Sequence, residues 1–205
     1  MVYKLFYFDG RGVGEPARQL FALAGKEFED VRYTDDTWPA HKAEMPFGQM
    51  PVLEVNGLKI AQSGAIFRYL AREFGFAGKT AVEQALVDSF YDLYRDYKKD
   101  VNNWIYLARG WEQGNAEEAY EKDFVPARDK FFGALEKQLK QNNTGFLVGK
   151  SVTYADIQIA DHISHLLDFS AKDLDPYPEV RKLRETVEKI PQIAKWIKER
   201  PKSDF

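Results

Sequence analysis

Cysteine is absent from the 205 residues, which excludes disulfides, thiolate metal centres and a sulfur nucleophile borne by the protein itself. Any thiol chemistry must arrive on a ligand. Neither sign of charge dominates: 29 basic and 32 acidic residues leave a net charge of −3, mixed along the chain, so there is no basic field to suit nucleic acid or an anionic membrane. No apolar run approaches the ~18 residues of a membrane span, and Met1 Val2 Tyr3 Lys4 Leu5 carries no charged-then-apolar leader. The expectation is a soluble cytoplasmic protein. Internal repeats and low-complexity segments are also missing. What is present is 44% hydrophobic content, enough for a packed core in one large domain or two small ones.

The stretch 46–65 organises the first part of the chain. Short apolar runs at 52–55 and 58–61 flank Asn56 Gly57, the dipeptide that best supplies positive φ at both centres of a type I′ turn. The spacing predicts a two-strand hairpin. Pro51 removes a ladder donor just before the first strand, so it shapes the chain entering the hairpin. Two readings stand: a trans proline at a strand start, the commoner form, or a cis Met50–Pro51 bond that turns the Met50 N–H and C=O outward to pair with an extended peptide. Gln62 Ser63 opens an amphipathic helix, with Phe67, Leu70, Ala71 and Phe74 at i, i+3, i+4 and i+7. Ser63 suits an N-cap, and a helix start is a ready anion site. Strand edge, polar pair and helix start together predict a cradle for a short anionic peptide.

Residues 2–8, rich in Tyr, Phe and Leu, read as a buried strand running into Asp9 Gly10 Arg11 Gly12. Pro16 near the first turn, then Ala17, Leu20, Phe21 and Ala24, with Gly25 past the end, predict a helix. A second strand is expected at 28–33, and an irregular stretch with one or two helical turns at 36–44. The order β-α-β, then β-β-α, with a right-handed parallel crossover before the hairpin, is that of a thioredoxin-like α/β domain at 1–76. A linker follows at 76–79, and an all-helical domain at 80–205. Val82, Leu86, Leu93, Tyr97 and Trp104 mark one face of an unusually long helix; Ala119, Phe124, Phe131 and Leu135 mark another, which Pro126 should kink or interrupt. Thr153 x x Asp156 is a capping box with the shorter acid, opening a helix marked by Ile157, Ala160, Ser164 and Leu167. Two short helices meet around Pro191.

Five stretches carry a family resemblance: Tyr3 Lys4 Leu5 Phe6 Tyr7 Phe8 Asp9 Gly10 Arg11 Gly12; Glu15 Pro16 Ala17 Arg18; Phe47 Gly48 Gln49 Met50 Pro51; Gln62 Ser63; and Ser151 x Thr153 Tyr154 Ala155 Asp156. In this order and spacing they resemble the cytosolic glutathione transferases over essentially the whole chain, and within them the sigma class with its invertebrate, nematode-type members. The resemblance implies a cytoplasmic, homodimeric detoxification enzyme that adds glutathione to small hydrophobic electrophiles and reduces organic hydroperoxides as a side activity. Glutathione is then a co-substrate, and no prosthetic group or metal is needed. Tyr7, which alone would be read as core packing, becomes the phenol that donates a hydrogen bond to the glutathione sulfur. A free thiol of pKa ~8.5 is only about 3% thiolate at pH 7, and the thiolate is the nucleophile.

The other site residues follow from the same resemblance. Trp38 and Lys42 meet the glycyl carboxylate of glutathione; alone they would be loop packing and solvated surface. Gln49 lies near that end, and the Met50 backbone, ahead of Pro51, pairs with the cysteinyl residue. Gln62 and Ser63 hold the γ-glutamyl carboxylate, with N-capping as the plain alternative for Ser63. Asp96 reaches the γ-glutamyl amine of a partner subunit; Asp88, Asp92 and Asp96 would otherwise be a solvated stripe at i, i+4 and i+8. Thr153 and Asp156 serve folding. The electrophile pocket is assigned to Val13, Tyr97, Trp104, Tyr106 and Phe205.

Two readings from other classes compete. The same fold serves as lens crystallin and as a non-catalytic carrier of haem-like or other apolar ligands, and it serves as glutathione-dependent prostaglandin D synthase, whose members carry arginine where Val13 stands. Tyr7, Trp38, Lys42, Gln62, Ser63 and Asp96 together favour the transferase. His162 and His165, with Asp161 and Asp168 nearby, have a spacing that helical metal sites use, but there is no companion His-carboxylate helix and His41 is remote. Gly10 x Gly12 x Gly14 falls short of a dinucleotide-binding frame.

Overall fold

The computed structural model describes residues 1–203. Its first strand, β1 (Tyr3–Phe8), buries Tyr3, Leu5 and Tyr7 on one face while Lys4, Phe6 and Phe8 are half-buried on the other, the alternation that a pleated strand imposes. After helix α1 (Glu15–Ala24), strand β2 (Glu29–Tyr33) returns parallel to β1. Strands β3 (Val52–Val55) and β4 (Leu58–Ala61) add antiparallel neighbours, giving the order β2-β1-β3-β4. This is the thioredoxin-like layout expected from the element order. Asn56 and Gly57 take φ of 49° and 87°, both positive as a type I′ turn requires.

Helix α1 and helix α3 (Ser63–Phe74) cover the Leu5 face, where Leu5, Leu20, Phe21, Leu53, Ile66, Phe67 and Leu70 are fully buried. The opposite face carries a smaller cluster of Tyr33, Met45 and Val52, with Trp38 from the short helix α2 (Trp38–His41) packed on it. Ser63 is not the N-cap of α3. Gln62 holds that position, and Ser63 is the first helical residue.

The second half is helical. Helix α4 (Ala81–Ala108) runs for 28 residues from a Thr80 cap whose side chain accepts the Glu83 N–H at 3.1 Å. The stretch containing Pro126 is interrupted, as expected: α5 (Ala116–Ala119) passes into a widened π turn at Tyr120–Phe124 before α6 (Val125–Asn142). Proline has no N–H for the i−4 ladder, and the turn ahead of it opens to i−5 spacing. Helix α7 (Tyr154–Ser170) is buried at every residue from 154 to 163, so it is the axis of the helical domain and not a one-faced surface helix. Its capping box is formed: Asp156 accepts from the Thr153 N–H at 2.8 Å, the Thr153 hydroxyl at 2.6 Å and the Leu147 N–H at 2.8 Å. Helices α8 (Pro178–Glu188) and α9 (Pro191–Glu199) complete the domain.

A polar seam ties the halves together. Glu15 of α1 is 1% exposed and accepts from Trp196 Nε1 at 2.7 Å and Arg200 Nη1 at 2.6 Å. Burial and the nearby Asp161 charge push its carboxyl up, against the pull of Arg200. Gln19, one turn along α1, donates to Asp161 of α7 at 3.3 Å.

Candidate functional site

The sheet register brings the separate motifs to one edge. Phe6 pairs with Val52 and Val52 with Ala61, so continuing each antiparallel pair by one residue sets Tyr7, Pro51 and Gln62 in a row at the same ends of three adjacent strands. The Met50–Pro51 bond is cis, the rarer of the two forms open from sequence. Gln62 has a φ of 73°, uncommon for a residue with a Cβ; its side-chain amide donates to Gln49 Oε1 at 3.4 Å. Ser63 Oγ lies 3.4 Å from Tyr91 Oη on α4. Trp38 is half-buried, its ring 5.9 Å from Phe8 and 6.2 Å from Tyr33. Lys42 is exposed and runs beside Gly48. Gln49, Met50, Pro51, Gln62 and Ser63 are thus neighbours, with Trp38 and Lys42 on the adjoining loop side.

Tyr7 sits behind this edge at 9% exposure. The turn after β1 is fitted to its ring. A Cβ on Gly12 would stand 2.6 Å from the Tyr7 hydroxyl oxygen, and one on Gly14 2.5 Å from the ring carbons. This close approach, not a dinucleotide, accounts for the glycines at 12 and 14. Buried Arg18 pins the same turn, donating to Gly10 O at 2.5 Å, Phe8 O at 3.2 Å and Asp30 at 3.0 Å. The Val13 N–H donates to Tyr7 Oη at 2.9 Å. With one lone pair so occupied, the phenol has its own proton left to donate. Burial pushes its pKa up, only partly offset by the Val13 N–H and the Arg18 charge, so the hydroxyl is protonated at neutral pH.

Tyr7 lines a cavity of about 420 Å³ between the β1 turn, α4 and α7. Of the expected electrophile residues, Val13 and Tyr106 line it. Tyr97 and Trp104 do not: Tyr97 stacks on Phe131 at 4.4 Å and Trp104 on Phe124 at 3.8 Å, both inside the helical core. Their successors Lys98 and Ile105 line the cavity instead, because one position along a helix turns a side chain by about 100°. Phe205 lies outside the described residues. Tyr94, Arg109, Trp111, Leu166 and Phe169 also line the cavity and were missed in sequence; the 94, 98, 105 spacing on α4 was the available signal.

The three aspartates of the i, i+4, i+8 stripe part company. Asp88 accepts from Tyr154 Oη at 2.6 Å and pairs with Arg68 at 3.3 Å, and Asp92 also pairs with Arg68, so these two are not simply solvated. Asp96 is exposed. His162 is buried with Nε2 3.1 Å from Tyr97 Oη, and His165 sits 3.5 Å from Asp161 and 3.4 Å from Arg11. Burial and the Lys98 charge hold His162 well below the usual histidine range, so it is neutral. Among the described residues no group of three or more His, Asp or Glu side chains could hold a metal ion, and no helix is long and apolar enough to cross a membrane.

Comparison with known proteins places these features. The family model for the glutathione S-transferase N-terminal domain matches residues 3–72, and that for the C-terminal domain residues 95–200. Probable glutathione S-transferase 5 of Caenorhabditis elegans is 47% identical over 205 residues, covering 99% of each chain. A solved Nu-class transferase from Haemonchus contortus shares 48% identity at a TM-score of 0.92, covering 99% of this chain and 98% of its own. A monomeric glutathione S-transferase from Necator americanus shares 46% identity at a TM-score of 0.96 over the full length of both.

Proposed function

The chain belongs to the glutathione S-transferase family and is a glutathione S-transferase, and from that premise we propose that Tyr7 makes the bound sulfur nucleophilic by donating a hydrogen bond to its thiolate. One arrangement carries this reading. The phenol is held protonated, its oxygen is engaged by the Val13 N–H at 2.9 Å, and Tyr7 lines the cavity where an electrophile would lie. Lowering a thiol pKa by about two units takes about 2.7 kcal/mol, within reach of a charge-assisted hydrogen bond supported by the surrounding dipoles. The thiolate then attacks the electrophilic carbon, displacing a halide or adding to an activated double bond. Tyr7 keeps its proton throughout; the thiol proton leaves to solvent.

Glutathione as co-substrate lies, in this reading, along the Tyr7–Pro51–Gln62 row. Gln62 and Ser63 take the γ-glutamyl carboxylate at the start of α3, where unpaired backbone N–H groups favour an anion. The Met50 backbone pairs with the cysteinyl residue, and Trp38, Lys42 and Gln49 meet the glycyl end. Asp96, exposed on α4, takes the γ-glutamyl amine of a partner subunit in a homodimer. We place the domains at 1–76 and 80–205 and the enzyme in the cytoplasm, with detoxification as its role and hydroperoxide reduction as a side activity. The motifs suggest the sigma class, beside the Nu-class name of the Haemonchus relative. The carrier, crystallin and prostaglandin D synthase readings are not favoured, given full-length identity to transferases.

The test is Tyr7→Phe, assayed for conjugation of a chromogenic aryl halide. Glutathione binding on an affinity column is expected to survive. The rate at pH 7 falls about 20- to 30-fold if the whole thiol shift is lost, and the defect narrows above the free thiol pKa of ~8.5, where solvent alone deprotonates the sulfur. A defect constant with pH would remove this role.

A further inference from the structure

Lys98 is a half-buried cation on the acceptor cavity that sulfur activation leaves without a task. It stands one turn along α4 from Tyr94 and lines the cavity with Tyr7, Val13, Tyr106, Leu166 and Phe169. Burial lowers its pKa to about 8, and what adds to this is the like charge of Arg109. No carboxylate bears on it among the described residues. Asp161, which shares the cavity wall, is already engaged by Gln19 at 3.3 Å and by His165 at 3.5 Å. The neighbouring His162 responds to Lys98 by losing affinity for its own proton. A partly desolvated ammonium with no counter-ion among the described residues is unfavourable, yet this one is set where a substrate must lie, with Val13, Leu166 and Phe169 on the same wall.

We propose that Lys98 is the counter-ion for a carboxylate on the electrophile, so that the cavity selects apolar electrophiles carrying one acid group over their neutral analogues. The inference rests on the transferase reading of the cavity and deepens it by naming the substrate class. Apolar chain or ring fills the space between Val13, Leu166 and Phe169, the acid meets Lys98, and the reactive carbon lies at the Tyr7 end. For an acid with an α,β-unsaturated ketone, the sulfur bonds to the β-carbon, the double-bond electrons move to the carbonyl, and a solvent proton completes the α-carbon. The carboxylate is unchanged.

The experiment compares one enone bearing a terminal carboxylate with the primary amide of the same compound, in the wild type, Lys98→Met and Lys98→Arg. The wild type is expected to prefer the acid by tenfold or more in kcat/KM. Lys98→Met should lower the acid-to-amide ratio at least tenfold, chiefly through a raised KM for the acid, and Lys98→Arg should return the ratio to within about threefold of the wild type. Equal losses for both compounds, or no preference in the wild type, would overturn the proposal. Calorimetric binding of octanoate against octanamide to the glutathione-loaded wild type decides the point without any variant: the acid must bind tighter, and equal or weaker binding sinks the role of Lys98. If neither enone is turned over while octanoate still binds selectively, the transferase reading of the cavity fails and the anion site stands.

Discussion

At Gly14 a methyl group would stand 2.5 Å from the Tyr7 ring, closer than any real contact allows, so the ring or the turn must move. Gly14→Ala is expected to cut conjugation about tenfold or more, since misplacement by ~1 Å can cost 10²-fold, with a smaller effect on glutathione retention. Kinetics together with affinity chromatography would check this; an unchanged kcat would show that the fit of the turn to Tyr7 is irrelevant. The importance of Tyr7 was legible only through the motifs around it, because a buried tyrosine ending a strand is ordinary packing. The cavity lining was legible in half: Val13 and Tyr106 reach it, whereas Tyr97 and Trp104 are displaced by their neighbours Lys98 and Ile105. An apolar residue on a long helix can serve the core or a pocket. The aromatic positions of α4 divide between the two, with Tyr97 and Trp104 in the core and Tyr94 and Tyr106 on the cavity, and residue type alone does not tell them apart.

Among the elements, the hairpin and helix α1 were readable because turn chemistry is local: Asn56 Gly57 and Gly25 each sit at positive φ, as their positions require. The cap of α3 was misread because Gln62, not Ser63, leaves the strand, and its positive φ has no signature in a glutamine. The capping box of α7 was legible and carries a stability prediction. Asp156→Ala strands two backbone N–H groups, the Thr153 hydroxyl loses its acceptor, and the change should cost about 3 kcal/mol, or about 6–12 °C in Tm for a chain of this size. The loss also depends on pH. Burial raises the Asp156 carboxyl to about 6 from an ordinary 3.8, so the folded state binds its proton more tightly than the unfolded chain does. The stability due to Asp156 is then greatest below the unfolded value and declines as pH rises toward the folded one. Between about pH 4 and pH 6 the gap between wild type and Asp156→Ala should shrink, by chemical denaturation. A gap that widened over this range would mean that the three donors, not burial, govern the carboxyl.

For the whole molecule, the sheet edge supplies one side of the site and α4 with α7 the other, and the Glu15 seam to Trp196 and Arg200 fixes them together. That two such units occur was legible from the end of strand signals near residue 76; their polar seam was not, because Glu15 and Arg200 are far apart in sequence and ordinary by type. The proposed role of Asp96 across a subunit boundary is a separate matter. In a homodimer that shares sites, one Asp96→Ala chain paired with one Ser63→Ala chain puts both lesions in one site and leaves the other whole, so about half the activity should survive at low glutathione. Equal weakening of both sites, or a monomer by sedimentation, would end the cross-subunit role. The central claim, that this fold holds glutathione as a thiolate at neutral pH through Tyr7, is tested most directly by titrating the ultraviolet thiolate absorbance of bound glutathione in the wild type and in Tyr7→Phe. The bound sulfur should titrate about two units below the free thiol in the wild type and return toward the free value of ~8.5 in the variant; the same depressed pKa in both proteins would contradict it.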